Sequence, residues 1–219
     1  MRVYFSGPHG GGKSTLMQKI KESSPEFFFL YPEDTLSFPQ VTENYFERLK
    51  SKLLRYYFEE LDQQEYEQKN ADNRKKEGGL KKNNPEKILL CSRCVYDSVA
   101  YSRAYLQLGW INQKEYQQLE KITQEVFDKL PERVVILSPS LETLQKQLQK
   151  RWTTGERKWN EENNAYLEAA RIEFAGVYKR DITEKNILYL SDEPLEKKVE
   201  KIVEWVHTQT IKNVRKLNK

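Results

Sequence analysis

Val3-Tyr4-Phe5-Ser6-Gly7-Pro8-His9-Gly10-Gly11-Gly12-Lys13-Ser14-Thr15 is the stretch that decides the fold. An apolar run with strand character leads into Gly-x-x-x-x-Gly-Lys-Ser, and a helical pattern follows from Leu16. A strand before and a helix after distinguish a phosphate-binding loop from an ordinary Gly-rich turn. Gly7, Gly10, Gly11 and Gly12 let successive backbone N–H groups converge on phosphate oxygens. The helix opening at Lys13 adds the positive end of its dipole, with Thr15 in its first turn. Lys13 is expected to reach the terminal phosphates, and the Ser14 hydroxyl is placed to ligate Mg²⁺. ATP and Mg²⁺ are the expected cofactors. His9 is expected to face solvent.

Working outward, 219 residues suit one α/β domain spanning 1–219. Hydrophobic content of 37% against 32% charged fits long, solvated helices, because the apolar residues are periodic. No apolar run is long enough to span a bilayer, and strand residues begin at once, which leaves no room for a signal peptide. The expectation is a cytoplasmic protein without a membrane partner. The net charge of +4 sits in Lys69–Lys87, with seven basic and three acidic residues; the remainder is neutral. That distribution argues against a nucleic-acid binder, and the basic stretch reads as a solvated loop. Cys91 and Cys94 form a lone Cys-x-x-Cys, which lacks the second pair that a zinc site needs.

Further along the chain, strands alternate with helices. Phe27-Phe28-Phe29-Leu30-Tyr31 is a continuous apolar run, as in a strand buried on both faces, and it ends in Pro32-Glu33-Asp34. From Val41 to about Gln68 the pattern is helical, with Phe46, Leu49, Leu53, Tyr57 and Leu61 on one face. Residues 41–87 are read as an acceptor-side helix followed by a mobile basic loop. Ile88–Cys91 is the next strand, and a helix follows from about Tyr96 to Leu108. Asn112 and Glu115 are spaced as a capping box for another helix. Arg133–Leu137 is the fourth strand, after which Ser138-Pro139 reads as N-cap and first-turn proline. Arg151–Asn163 interrupts the helical pattern with charge, and a helix resumes at Ala165. Asn186–Leu190 is the fifth strand, and the last helix opens near Pro194. The fold class is therefore α/β: a three-layer P-loop fold with a five-stranded parallel sheet flanked by helices.

Four stretches beyond the loop resemble the thymidylate kinase and deoxynucleoside kinase group of P-loop phosphotransferases. Ser92-Arg93-Cys94-Val95-Tyr96-Asp97-Ser98-Val99-Ala100-Tyr101 looks like the Asp-Arg-Tyr and Ser-x-Ala-Tyr of the first and the Glu-Arg-Ser of the second. Tyr31-Pro32-Glu33-Asp34 is similar to a Phe-Pro-Glu-Arg that ends the second strand. Tyr166–Phe174 resembles the helix after the lid, and Ser191-Asp192-Glu193-Pro194-Leu195-Glu196 resembles the adenine-side loop.

The resemblance implies an ATP-dependent kinase for a nucleoside, nucleotide or similar small acceptor, and by analogy a homodimer. It implies that Lys13, Arg93, Arg151 and Arg157 compensate phosphoryl charge, with 151–163 as a closing lid. Asp192 would lie at the adenine side, and Tyr31, Asp34, Tyr45, Arg93 and Tyr101 at the acceptor. Two departures matter. The family's carboxylate before the third-strand Arg is Ser92 here, so Glu33 would have to act as general base. The Arg that clamps an acceptor phosphate aligns with Asp34, whose charge repels one. A P-loop ATPase or nucleotide-binding regulatory module, and a polynucleotide 5′-end kinase, are the alternative readings.

Overall fold

A computed structural model of the chain describes residues 2–24, 26–30, 44–55, 58, 88–125, 133–155, 160–181 and 186–217. Its elements run β1 (Arg2–Ser6), α1 (Lys13–Ser23), β2 (Phe27–Leu30), α2 (45–55), β3 (Ile88–Ser92), α3 (Val95–Gln107), α4 (Gln113–Glu125), β4 (Val134–Leu137), α5 (Leu141–Trp152), α6 (Asn164–Asp181), β5 (Ile187–Leu190) and α7 (Leu195–Leu217). The five strands form one sheet in the order β2-β3-β1-β4-β5, and each neighbouring pair is parallel. The α/β expectation with five parallel strands holds.

Alternation along each strand divides the core into two sides. Val3 and Phe5 point to one face, where Leu16, Met17 and Ile20 of α1 and Val199, Ile202 and Val206 of α7 close over them. Tyr4 points to the other face, together with Cys91, Val134 and Ile136, under α2, α3, α5 and α6. Both faces are covered, so strands such as Val134–Leu137 are apolar at every position and fully buried. On the second side an aromatic cluster fills the space between α3, α4 and α6. Trp110 stacks on Tyr45 at 4.8 Å and on Tyr166 at 5.4 Å between ring centroids.

The capping box of α4 is present: Glu115 N–H donates to Asn112 Oδ1 at 3.0 Å, and Asn112 N–H to Glu115 Oε2 at 2.8 Å. The start of α5 differs from expectation. Its N-cap is Ser140, whose Oγ accepts from Thr143 N–H, and not Ser138. Ser138 instead donates its N–H to Leu190 O at 2.9 Å, extending the β4–β5 ladder by one residue. A backbone still paired as strand cannot turn into a helix, so the start shifts by two residues.

The chain leaves β1 for β2 at one edge of the sheet and leaves β3 for β4 on the far side of β1, so the two connections diverge. The crevice for ligands in an open α/β sheet opens at the carboxyl ends of strands where connections diverge in this way. Here those ends are Ser6-Gly7 and Ser92-Arg93.

Candidate functional site

The loop between β1 and α1 is shaped by close approach. Gly7 has φ of 149°, and a Cβ there would stand 2.5 Å from the Leu137 carbonyl oxygen. Gly10 has φ of 73° and lies against Leu148, where a Cβ would approach to 2.8 Å. Gly12, at φ 81°, is the N-cap of α1. That cap has no side-chain hydrogen bond, and no acidic residue stands in the first turn. The positive end of α1 is thus left for an anion from outside the chain. Lys13 is buried, and its ammonium donates to Gly7 O at 2.7 Å and Pro8 O at 2.8 Å. Ser14 follows on the exposed side of the helix.

The second half of the site is built at the end of β3. Arg93 has φ of 70°, a left-handed conformation that is uncommon for a residue with a Cβ. Its N–H donates to Phe5 O at 2.9 Å, and its Nη1 donates to Asp97 Oδ1 at 3.0 Å and to the Tyr101 hydroxyl at 3.5 Å. Asp97 is fully buried on the first turn of α3. Its Oδ2 accepts from Ser6 Oγ at 2.9 Å and from Cys94 N–H at 3.0 Å. One carboxylate therefore ties the end of β1, the start of α3 and the crevice arginine together. The Arg93 guanidinium carbon also stands 5.8 Å from the centroid of the Tyr101 ring, within cation–π range.

The described ion-pair partner of Arg93 is Asp97; Glu33 and Asp34 lie outside the described residues. Asp97 was missed in the sequence, although Cys94-x-x-Asp97 has capping-box spacing and that box is formed.

The third part comes from the last turn of α5, which holds Arg151 and Trp152, and from the charged stretch after it. Glu161 is completely buried. Arg151 Nη2 forms an ion pair with its Oε1. His9 Nδ1 lies 3.5 Å from the same oxygen, and Trp152 Nε1 donates to Oε2 at 3.4 Å. His9 is thus turned inward, contrary to the solvent-facing expectation, and packs near Tyr101 and Tyr166 at 5.6 and 6.2 Å between centroids. Burial lowers its pKa to about 3; the Glu161 hydrogen bond opposes the shift, and the charges of Arg93, Lys13 and Lys52 add to it. The ring is neutral at ordinary pH.

The remaining candidates are dispersed. Tyr101 is buried in the aromatic cluster, and burial raises its phenol pKa, which keeps the hydroxyl protonated. Tyr45 is half-buried, edge-on to Tyr105 and stacked on Trp110. Asp192 accepts from Ser140 N–H at 3.0 Å and so fastens the start of α5 to the loop after β5. Tyr31, Glu33, Asp34 and Arg157 lie outside the described residues. Cys91 and Cys94 are buried free thiols. Among the described residues no group of His, Cys, Asp and Glu could by itself hold a metal ion, and no helix is long and apolar enough to cross a membrane.

A family described as an AAA domain (AAA_28) matches residues 2–185. No curated protein matches the sequence. Among solved structures, the deoxyadenosine kinase from M. mycoides with bound dATP superposes with a TM-score of 0.58 at 19% identity, covering 94% of this chain and 100% of that one. The same enzyme with bound dCTP gives 0.57 at 19% identity, over 95% and 100% of the two chains. At this identity the likeness is one of fold.

Proposed function

The chain belongs to the AAA domain family, and from that membership and the geometry of its loop we propose that it is an ATP-dependent phosphotransferase acting on a nucleoside-like acceptor. One observation carries the reading: the uncapped start of α1, with Lys13 folded under it, lies beside an arginine held at the end of β3. Phosphoryl transfer needs positioning and charge compensation more than covalent chemistry from the protein. In the proposed reaction the acceptor hydroxyl attacks the γ-phosphorus of ATP. The bond to the bridging oxygen breaks, ADP leaves, and the hydroxyl proton passes to a general base.

The N–H groups of the loop and Lys13 would hold the phosphates. Ser14 would hold Mg²⁺, which when bound neutralises part of the phosphate charge. Arg93, at the carboxyl end of β3, would bear on the transferred group, with Arg151 and Arg157 closing from 151–163. Glu33 is the proposed base and Asp192 a residue of the adenine side. The solved deoxyadenosine kinases of this fold, which hold dATP and dCTP, favour a nucleoside acceptor. The proposed acceptor groups are Tyr31, Asp34, Tyr45, Arg93 and Tyr101.

A second reading is an ATP-binding regulatory module that transfers nothing. It is favoured by Ser92, which lacks a carboxylate, and by Asp97, whose carboxylate is fully engaged in the interior. Incubation with ATP–Mg²⁺ and a panel of nucleosides and monophosphates, followed by chromatographic detection of ADP and phosphorylated acceptor, separates the two. Product formation with any one acceptor supports the kinase. Tight ATP binding with no product from the panel supports the module.

A further inference from the structure

The buried carboxylate of Glu161 touches the phosphate-binding loop and the proposed lid arginine at once, and neither role so far assigned to those residues accounts for it. A carboxylate without exposure is costly unless it is paired. Glu161 meets that requirement with groups from two distant places: Arg151 and Trp152 at the end of α5, and His9 inside the loop. The histidine ring is neutral, so its Nδ1, 3.5 Å from Oε1, makes a long polar contact with the carboxylate and not a second ion pair. The described counter-charge of Glu161 is that of Arg151, and His9 lies against the same carboxylate oxygen.

Arg151 Nη2 meets Glu161, while a quarter of the arginine side chain remains exposed. One side of the guanidinium is thus committed to Glu161 while part of the side chain reaches the surface. A planar fork held along one edge presents the other edge in a fixed direction. The sequence supports the pairing: Asn160, just before Glu161, takes φ of 58°, a left-handed turn that carries the chain into the interior. Asn160 is one of only two described non-glycine residues with positive φ, the other being Arg93.

We propose that Glu161 is the positioning residue of the site, a carboxylate clasp that sets Arg151 for phosphate contact by anchoring it to His9 of the loop. The proposal rests on the phosphotransferase reading for its kinetic consequence, but the clasp itself has an independent signature. A misplacement of about 1 Å in a positioned group costs on the order of a hundredfold in rate. Glu161→Gln, which keeps shape and removes charge, should lower kcat by roughly ten- to a hundredfold, with KM for ATP within about threefold of the parent. Glu161→Asp keeps the charge and should recover part of the loss.

The chain has two histidines, His9 and His207, so nitrogen-15 spectra of the imidazoles resolve both. In the parent, His9 should be a neutral Nδ1–H tautomer from pH 7 to pH 5. In Glu161→Gln its nitrogen shifts should move while those of His207 stay. Unmoved His9 signals, or an unchanged kcat in a folded Glu161→Gln protein, would overturn the clasp. If the Gln variant does not fold, the Asp variant carries both readouts with the same criteria. A parent that binds ATP but phosphorylates no acceptor refutes the phosphotransferase reading, and the histidine spectra then decide the clasp alone.

Discussion

Arg93 Nη1 lies 3.0 Å from Asp97 Oδ1, one helical turn further along the chain, and this pair holds the crevice arginine in a left-handed backbone conformation. The carboxylate is buried while the guanidinium side chain is a quarter exposed, so the pair is anchored from the inside. Removing the charge by Asp97→Asn takes away the described counter-ion of Arg93 and also weakens the acceptor for Ser6 and Cys94 N–H. Breaking a fully buried pair costs about 3–5 kcal/mol. The exposure of Arg93 reduces this, and about 2–3 kcal/mol is expected. Urea denaturation of the parent and the variant measures it; a midpoint unchanged at equal slope would show that Arg93 is held by its backbone alone.

Lys13→Ala tests the loop. The ammonium supports the Gly7 and Pro8 carbonyls besides its proposed role at the phosphates, so its loss loosens the loop from below. A fall in kcat of at least about a hundredfold is expected, as for removal of a single preorganised donor. Calorimetric titration with ATP–Mg²⁺ should show weakened binding, with the far-ultraviolet circular dichroism unchanged. ATP bound as tightly as by the parent would contradict the assignment.

His9 makes stability depend on pH in a definite direction. Its folded pKa is near 3 against an ordinary value of 6.5, so the unfolded chain binds the additional proton between those values. The contribution is fully present above pH 6.5 and is lost as pH falls toward 3. One proton corresponds to a slope of about 1.4 kcal/mol per pH unit. Thermal melts at pH 7, 6, 5 and 4 should therefore show the parent losing more stability than His9→Asn. Parallel curves would mean that the ring is hydrated and free to titrate.

Glu33 and Asp34 yield the chemical prediction. Glu33→Gln should lower kcat by roughly 10²–10⁴-fold with ATP affinity nearly intact, the ordinary effect of losing a general base. Asp34 is the proposed acceptor-side carboxylate. Two like charges about 4 Å apart cost roughly 4 kcal/mol at an effective dielectric of 20. Free nucleosides should thus show higher kcat/KM than their monophosphates at saturating ATP. A monophosphate turned over better than every nucleoside would reverse the assignment.

Much of this was legible in the chain. Val3–Ser14 announces strand, loop and helix because each local preference agrees with the others, and the apolar runs at Phe27 and Val134 stand out because parallel strands are buried on both faces. What escaped notice are pairings across long separations. Ser6 and Asp97 are 91 positions apart, and Glu161 looked like any other charge in a polar stretch. Nothing in the local pattern of 151–163 marks one of its acids as fully buried; that is a property of the residues that meet it. The displaced start of α5 has the same origin, since Ser138 is claimed by a strand 52 positions later. His9 was misread because a polar ring in a Gly-rich turn has no local reason to turn inward.

The wall against which the loop rests is α5. A Cβ at Gly10 would meet Leu148, and one at Gly12 would come within 3.3 Å of Gln147 Oε1. The same helix ends in Arg151 and Trp152. Leu148 and Arg151 are separated by three residues, or about 4.5 Å of helix rise. A hydrogen-bonded helix of that length behaves as a rod, so the width of the loop and the position of the Arg151 backbone share a single mechanical coordinate. Thinning the contact at Leu148 would let the rod settle toward the loop and carry the root of the arginine with it, changing two ends of the site through one displacement.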